Sequence, residues 1–230
     1  MKLIIKKIFK LLAEKACYRE FCKYNSFDPN ERAVEYSFVF KQLAKIFPTK
    51  ILDVGTGLTA LPSLMSSCGF NVTSTDNIKD YWKSDITNRH FYVKNDDITQ
   101  TKLKEKYDVI TCISVLEHIT GFENAVNNMF SLLKGNGYLI LTFPYNENSY
   151  CENVYDLEKS VSEEKRFPTQ AFSRHQIDCW LEANNAEIVE QEYWQFCSGD
   201  YWTEGEILIP PRKVNAKDRH HITCLMLKQK

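Results

Sequence analysis

Two hydrophobic periods run along this chain. Residues 2–14 follow the helical one: at 100° per residue, Ile4, Ile5, Ile8, Phe9, Leu11 and Leu12 share one side, and Lys2, Lys6, Lys7, Lys10 and Glu14 share the other. A second helix is expected over 28–46, with Asp28-Pro29 as cap and first-turn proline and Pro48 as its stop. Short apolar runs then predict strands: KILDV ahead of Gly55, NVTSTD at 71–76, FYVKND at 91–96, YDVITCI at 107–113 and GYLILTF at 137–143. Helices are expected between them at 58–68 and at 122–134, the latter closed by Gly135. Residues 145–171 read as polar and irregular. Ser173 is placed to cap a helix running to about Ala183, and strands near Glu187–Tyr193 and Ile222–Leu227 finish the chain.

Strands alternating with helices predict an α/β fold, a doubly wound and mostly parallel sheet. No repeat, low-complexity tract or long linker divides the chain, so one domain is expected over 1–230. Its parts are N-terminal helices at 1–49, a cofactor-binding core at 50–144, and acceptor-side elements with the last strands at 145–230. At 230 residues, 43% hydrophobic and 26% charged, the composition is that of a globular protein and excludes disorder throughout.

Charge narrows the function classes. A net charge of −1 argues against a dedicated nucleic-acid binder. Residues 1–23 nevertheless hold seven basic and two acidic side chains. The pattern favours a helix that packs its apolar face on the domain; the other reading is a peripheral membrane helix at the inner membrane. No apolar run is long enough to span a bilayer, and the lysines interrupt any signal peptide. The eight cysteines are scattered, with no C-x-x-C pair and no zinc spacing, so reduced thiols in a cytoplasmic protein are expected and no metal.

The strongest chemical signal is Asp53-Val54-Gly55-Thr56-Gly57-Leu58-Thr59, a glycine turn between a strand and a helix. Glycine lets the backbone turn sharply and approach a ligand closely. A nicotinamide fingerprint normally keeps an apolar residue where Asp53 stands, and a pyrophosphate would be repelled there. Asp76 ends the second strand, at the position of a carboxylate that accepts ribose hydroxyls. Asp97 follows the third strand, within reach of an adenine edge. Three acids at adjacent strand ends suit a cationic ligand carrying adenosine; the alternative role for Asp53 and Asp76 is capping the following helix.

From Lys50 to Pro144 these residues resemble the class I S-adenosylmethionine-dependent methyltransferases. The resemblance rests on ILDVGTG, on Asp76, on NDDI at 95–98, on YDVITCISVLEHI at 107–119 and on LLKGNGYLILTF at 132–143. It implies a Rossmann-like, seven-stranded sheet with a substrate-covering insertion after strand five. It also implies S-adenosylmethionine as cofactor, with S-adenosylhomocysteine as product. Gly55 and Gly57 would line the cofactor, Asp76 and the adjacent Asn77 its ribose, Asp97 and Ile98 its adenine, and Ser114 its methionine portion. Asp53 would stand near the amino-acid end. The family often has a third glycine where this chain has Thr59, whose side chain then points away or bonds the methionine carboxylate.

Methyl transfer needs the acceptor held in line with the departing sulfur, and a hydroxyl acceptor also benefits from a base. His118 is the catalytic candidate, just past the fourth strand and titrating near neutral pH. Glu117, Tyr145, Arg166, Arg174 and His175 are the acceptor-side candidates, the last three in or after a loop expected to cover the site. Arg32 and Glu35 either line the pocket or form a surface ion pair. Five aromatics, Tyr193, Trp194, Phe196, Tyr201 and Trp202, read as core or interface more readily than as a sugar-stacking surface. They leave room for a homodimer contact.

Two stretches, Asn30 to Tyr36 and Thr111 to His118, look more loosely like methyltransferases of bacterial surface-glycan gene clusters. That likeness implies O-methylation of a small-molecule or lipid-linked glycan acceptor in capsule or lipopolysaccharide biosynthesis, on a sugar hydroxyl or a phosphate or phosphoramidate group. The alternative is methylation of a small metabolite such as a quinone. A nicotinamide oxidoreductase and a non-catalytic cofactor-binding protein are the remaining classes.

Overall fold

The computed structural model describes residues 2–25, 27, 29–83, 87–161 and 167–230, with the side chains of residues 20, 23 and 24 left aside. The chain divides into two units, Met1–Asn30 and Glu31–Lys230. The first contains α1 (Lys2–Tyr24), ten residues longer than the amphipathic pattern foretold. Asp28, expected as a helix cap, lies outside the described residues.

The second unit opens with α2 (Arg32–Ile46). Its apolar row Val34, Phe38, Val39 and Leu43 is buried. Phe47 then takes a left-handed conformation and Pro48 forbids a further turn. There follow β1 (Lys50–Val54), α3 (Leu61–Ser67), β2 (Asn71–Asp76), α4 (Ile78–Tyr81), β3 (Lys94–Asn95), β4 (Tyr107–Ile113), α5 (Phe122–Leu132) and β5 (Leu133–Pro144). After the segment 145–173 come α6 (Arg174–Ala183), β6 (Ala186–Cys197), β7 (Ile207–Val214) and β8 (Ile222–Gln229).

The sheet runs β3-β2-β1-β4-β5-β8-β6-β7. The first five strands pair in parallel, and β8 enters antiparallel between β5 and β6. The central strands are apolar on both faces because both are covered. One face packs Leu52, Ile110, Leu139 and Leu225 against α5 and α6, and the other packs Ile51, Val109, Ile140 and Met226 against α2 and α3. Lys41 and Lys45 of α2 also reach Glu190 and Glu192 of β6.

Besides the longer α1, the later start of α2 and the added α4, the sheet region departs from the sequence reading. The expected strand at 91–96 shrinks to Lys94–Asn95. The helix expected to close at Gly135 ends at Leu132, and its glycine lies inside β5. An eighth strand, β7, appears at ILIPPRKV, which two prolines had masked. Proline donates no ladder hydrogen bond, and β7 tolerates it by pairing on one side only, with β6.

The order reverses between β1 and β4, since their crossovers lead to opposite sides. The carboxyl ends of such strands diverge and open a crevice, where open α/β sheets hold ligands.

Candidate active site

A cleft of about 520 Å³ opens at that edge. Gly55, Gly57, Thr59, Asp76, Asn77, Asp97, Ile98, Ser114 and His118 all line it, with Arg32, Tyr81, Trp82, Ile119 and Phe167. The site thus gathers the ends of β1, β2, β3 and β4, the start of α2 and the far end of the 145–173 segment.

The glycine turn is sterically determined. Gly55 has φ +72, and a Cβ there would fall 2.2 Å from a methyl carbon of Val115. Gly57 has φ +55. Both sit where an L side chain is strained, and at Gly55 the chain also passes too close to Val115 to admit one. Thr59 replaces the third glycine with little disturbance: its hydroxyl turns back and donates to the Thr56 carbonyl at 2.9 Å.

Asp53 does not line the cleft. Its carboxylate is buried beneath the turn and accepts from Thr56 Oγ1 and Thr111 Oγ1, both at 2.7 Å. Burial raises its pKa to about 6. It ties the glycine turn to β4 and does not cap the following helix, whose N-cap is Ala60.

Asp76 does face the cleft. One of its oxygens accepts from the Gly57 N–H at 2.7 Å, and the Trp82 side chain also donates to it. Burial holds its pKa above the usual carboxylate value. Asp97 caps the short 3-10 turn at Ile98–Gln100, accepting from the Thr99 N–H and hydroxyl through one oxygen and from Gln100 through the other. Burial works against its charge, but the Gln100 and Thr99 bonds outweigh it and hold the pKa down.

Arg32 and Glu35 form no surface pair. Arg32 reaches the cleft while Nη1 donates to Glu35 Oε2 at 2.9 Å and to the Ile113 carbonyl at 3.2 Å. Glu35 is fully buried and accepts from Ser114 Oγ and from Thr142 Oγ1, the latter at 2.6 Å. Burial raises its pKa, against the opposing charge of Arg32. Ser114 itself stands at φ +48. Glu35 thereby connects α2, β4 and β5 and fixes a cation at the cleft wall.

His118 closes the short turn Leu116–His118 after β4. A carbonyl only accepts, so the 3.1 Å contact to Pro168 O requires the proton on Nδ1. Nε2 is then the basic nitrogen. Burial and the Arg32 charge lower its pKa from the ordinary imidazole value, which favours the neutral ring. Glu117 is buried, with Oε2 lacking a hydrogen-bond partner, and burial raises its pKa to about 8. Its Oε1 lies 3.9 Å from His118 Nε2, too far for a hydrogen bond.

The acceptor-side candidates do not converge on the cleft. Tyr145 is buried against His220 and Tyr193. Arg174 is held by Glu147, Gln191 and Tyr193, and His175 lies exposed on α6. Glu117 lies behind the wall, and Arg166 falls outside the described residues. Of the five-aromatic cluster, none lines the cleft. The residues that do form its mouth are Tyr81, Trp82 and Phe167, with the Phe167 ring 5.9 Å from both Tyr81 and His118. No sequence signal pointed to them, because they come from a four-residue helix and an irregular segment. No cluster of three or more metal-ligating side chains occurs among the described residues.

A family model described as "Methyltransferase domain" matches residues 18–191, most of the chain. The chain belongs to that family. Curated relatives of this methyltransferase domain include proteins named ubiquinone biosynthesis O-methyltransferase. That of Rickettsia typhi is 32% identical over 102 residues, 40% of each chain. That of Shewanella pealeana is 26% identical over 139 residues, 56% of this chain and 58% of the relative. The chain spans about two fifths of the length of the first of these relatives. Their name is that of the quinone alternative, not of the glycan reading.

Solved structures share the fold. The 1,6-didemethyltoxoflavin-N1-methyltransferase of Burkholderia thailandensis, solved with S-adenosylhomocysteine, superposes with a TM-score of 0.60 at 10% identity, covering 97% of this chain and 90% of that one. The magnesium protoporphyrin IX methyltransferase of Synechocystis, also with S-adenosylhomocysteine, gives 0.54 at 15% identity and full coverage of both. The Rossmann-like methyltransferase fold, with its added antiparallel strands, is therefore established.

Proposed function

We propose that this methyltransferase moves a methyl group from S-adenosylmethionine to a hydroxyl of an aromatic, quinone-type metabolite. The observation that carries the reading is His118, which lines the cleft with Nδ1 held by the Pro168 carbonyl, leaving Nε2 as the basic nitrogen.

The residues present fit the cofactor. Asp76 offers a carboxylate for the ribose diol, Gly55 has no room for a side chain and Gly57 holds a positive φ that leaves its backbone open to a ligand, and Arg32 supplies the cation for a carboxylate terminus. When bound, S-adenosylmethionine supplies a methyl group already activated by its sulfonium. His118 then takes the acceptor's hydroxyl proton at Nε2, while Pro168 keeps the ring in the productive tautomer. Tyr81 and Phe167 offer ring faces to a flat acceptor and keep water from it. The names of the curated relatives support the same acceptor class. The glycan reading lacks comparable support, since neither Tyr145, Arg174 nor His175 reaches the cleft.

Calorimetric titration tests the cofactor: S-adenosylhomocysteine binds and NAD does not. Binding of NAD alone overturns the reading. With a labelled cofactor and a catechol-type acceptor, His118→Ala lowers turnover by about 10²–10⁴-fold and leaves cofactor affinity unchanged. Wild-type turnover falls as pH drops through the depressed His118 pKa, because the protonated ring cannot act as base. Unchanged turnover in the variant removes His118 from the chemistry.

A further inference from the structure

The helix α1 carries two surfaces on one side. Over its first three turns Ile4, Ile5, Ile8, Phe9, Leu11 and Leu12 stand exposed, from 48% for Ile5 to 70% for Phe9. Lys2 and Lys7 border this sector, and Lys6 and Lys10 lie opposite. Lys15 and Arg19 then continue the row of Leu11 at successive i, i+4 positions, so the side that begins apolar becomes cationic. Both are exposed. The acids nearby are few: Glu14 lies 3.5 Å from Lys10 in an exposed pair, and the excess over residues 1–23 remains five positive charges.

We infer that α1 docks this enzyme on an anionic phospholipid surface, set obliquely so that its first turns lie deeper in the interface than Lys15 and Arg19. Charge complementarity selects the occupant. A second helix packed along this side would bury Lys15 and Arg19 beside apolar groups without partners, at a cost that burial of Ile8 and Leu12 would have to outweigh. A bilayer interface offers both environments in the required order, acyl chains for the first turns and lipid phosphates for Lys15 and Arg19. The bordering lysines keep their ammonium groups at the headgroups while their stems lie along the apolar sector. No helix among the described residues is long and apolar enough to cross a membrane, so α1 lies on the surface rather than through it. Docking would bring the enzyme to an acceptor dissolved in the bilayer. That last step rests on the quinone-type reading above, whereas the docking itself rests on α1 alone.

Flotation of the full chain with vesicles tests it. Vesicles of phosphatidylcholine with about one third phosphatidylglycerol bind the protein at least about tenfold more strongly than pure phosphatidylcholine, and high salt abolishes the difference. Ile8→Asp with Phe9→Asp, and separately Lys15→Glu with Arg19→Glu, each lower vesicle binding about tenfold or more. Turnover of a water-soluble catechol stays unchanged in both variants. Equal binding to neutral vesicles, or no binding at all, overturns the inference. So does an α1-dependent dimer, seen by ultracentrifugation, that ignores lipid. If vesicles are bound but no catechol is methylated, the acceptor reading fails and the docking stands; methylation without vesicle binding is the reverse.

Discussion

At the residue scale, the site is a set of side chains whose roles are decided by what each touches. Gly55 is the strictest position: a positive φ and the Val115 methyl groups exclude any side chain. Gly55→Ala should cost about 1–3 kcal/mol in strain and displace Val115 from the cleft wall. Thermal unfolding and titration with S-adenosylhomocysteine measure the two losses separately. Glu117 makes the opposite kind of statement. Its folded pKa of about 8 lies above the unfolded value near 4.5, so its ionisation penalises the folded state increasingly between those limits. Glu117→Gln should therefore raise the melting temperature relative to wild type by an amount that grows from pH 5 to pH 8 and then levels off. A difference independent of pH would show that the carboxyl ionises freely.

At the element scale, local chemistry and tertiary pairing share control. The α6 N-terminus was legible because Ser173 stands ahead of a helical run as a favoured N-cap. In the structure Gln176 completes the cap, its Oε1 accepting from the Ser173 N–H at 3.0 Å and from the Ser173 hydroxyl at 2.6 Å. Ser173→Ala should lower stability by about 1 kcal/mol in urea unfolding, with turnover retained. The edge strand β7 was not legible, since Pro210 and Pro211 argue against any strand whose ladder is unknown. Once β7 is known to be the outermost strand, the prolines are explained: they deny pairing on an edge that also exposes Ile207 and Ile209. Replacing both with valine should promote aggregation on mild heating, followed by light scattering.

At the scale of the whole molecule, one wall of the cleft comes from a helix that precedes the core in sequence. Glu35 of α2 is buried against Ser114 and Thr142 and holds Arg32 at the cleft wall. Glu35→Ala would remove the buried carboxylate shared by Arg32 and the hydroxyls of Ser114 and Thr142. The expected destabilisation is about 3–5 kcal/mol, measured by denaturant unfolding, with weaker cofactor binding in calorimetry. Glu35→Gln keeps the hydroxyl contacts and should recover part of the stability but not the affinity.

The sequence by itself determined the class of fold and located strand-end residues that line the cleft. Strand and helix periods are local, and the glycine turn, Asp76, Ser114 and His118 follow strand ends that the pattern locates. It also marked Arg32 and Glu35 as a pair, though not whether they would be buried. Tertiary structure alone decided the rest. Asp53 turns under the glycine loop because Thr56 and Thr111 satisfy both of its oxygens there. Arg174 and Tyr145 look inward because Glu147, Tyr193 and His220 surround them. Phe167 reaches the mouth from a segment with no period to read. Each of these outcomes depends on partners distant in sequence, and no periodicity or spacing within a segment encodes which distant group satisfies a polar atom.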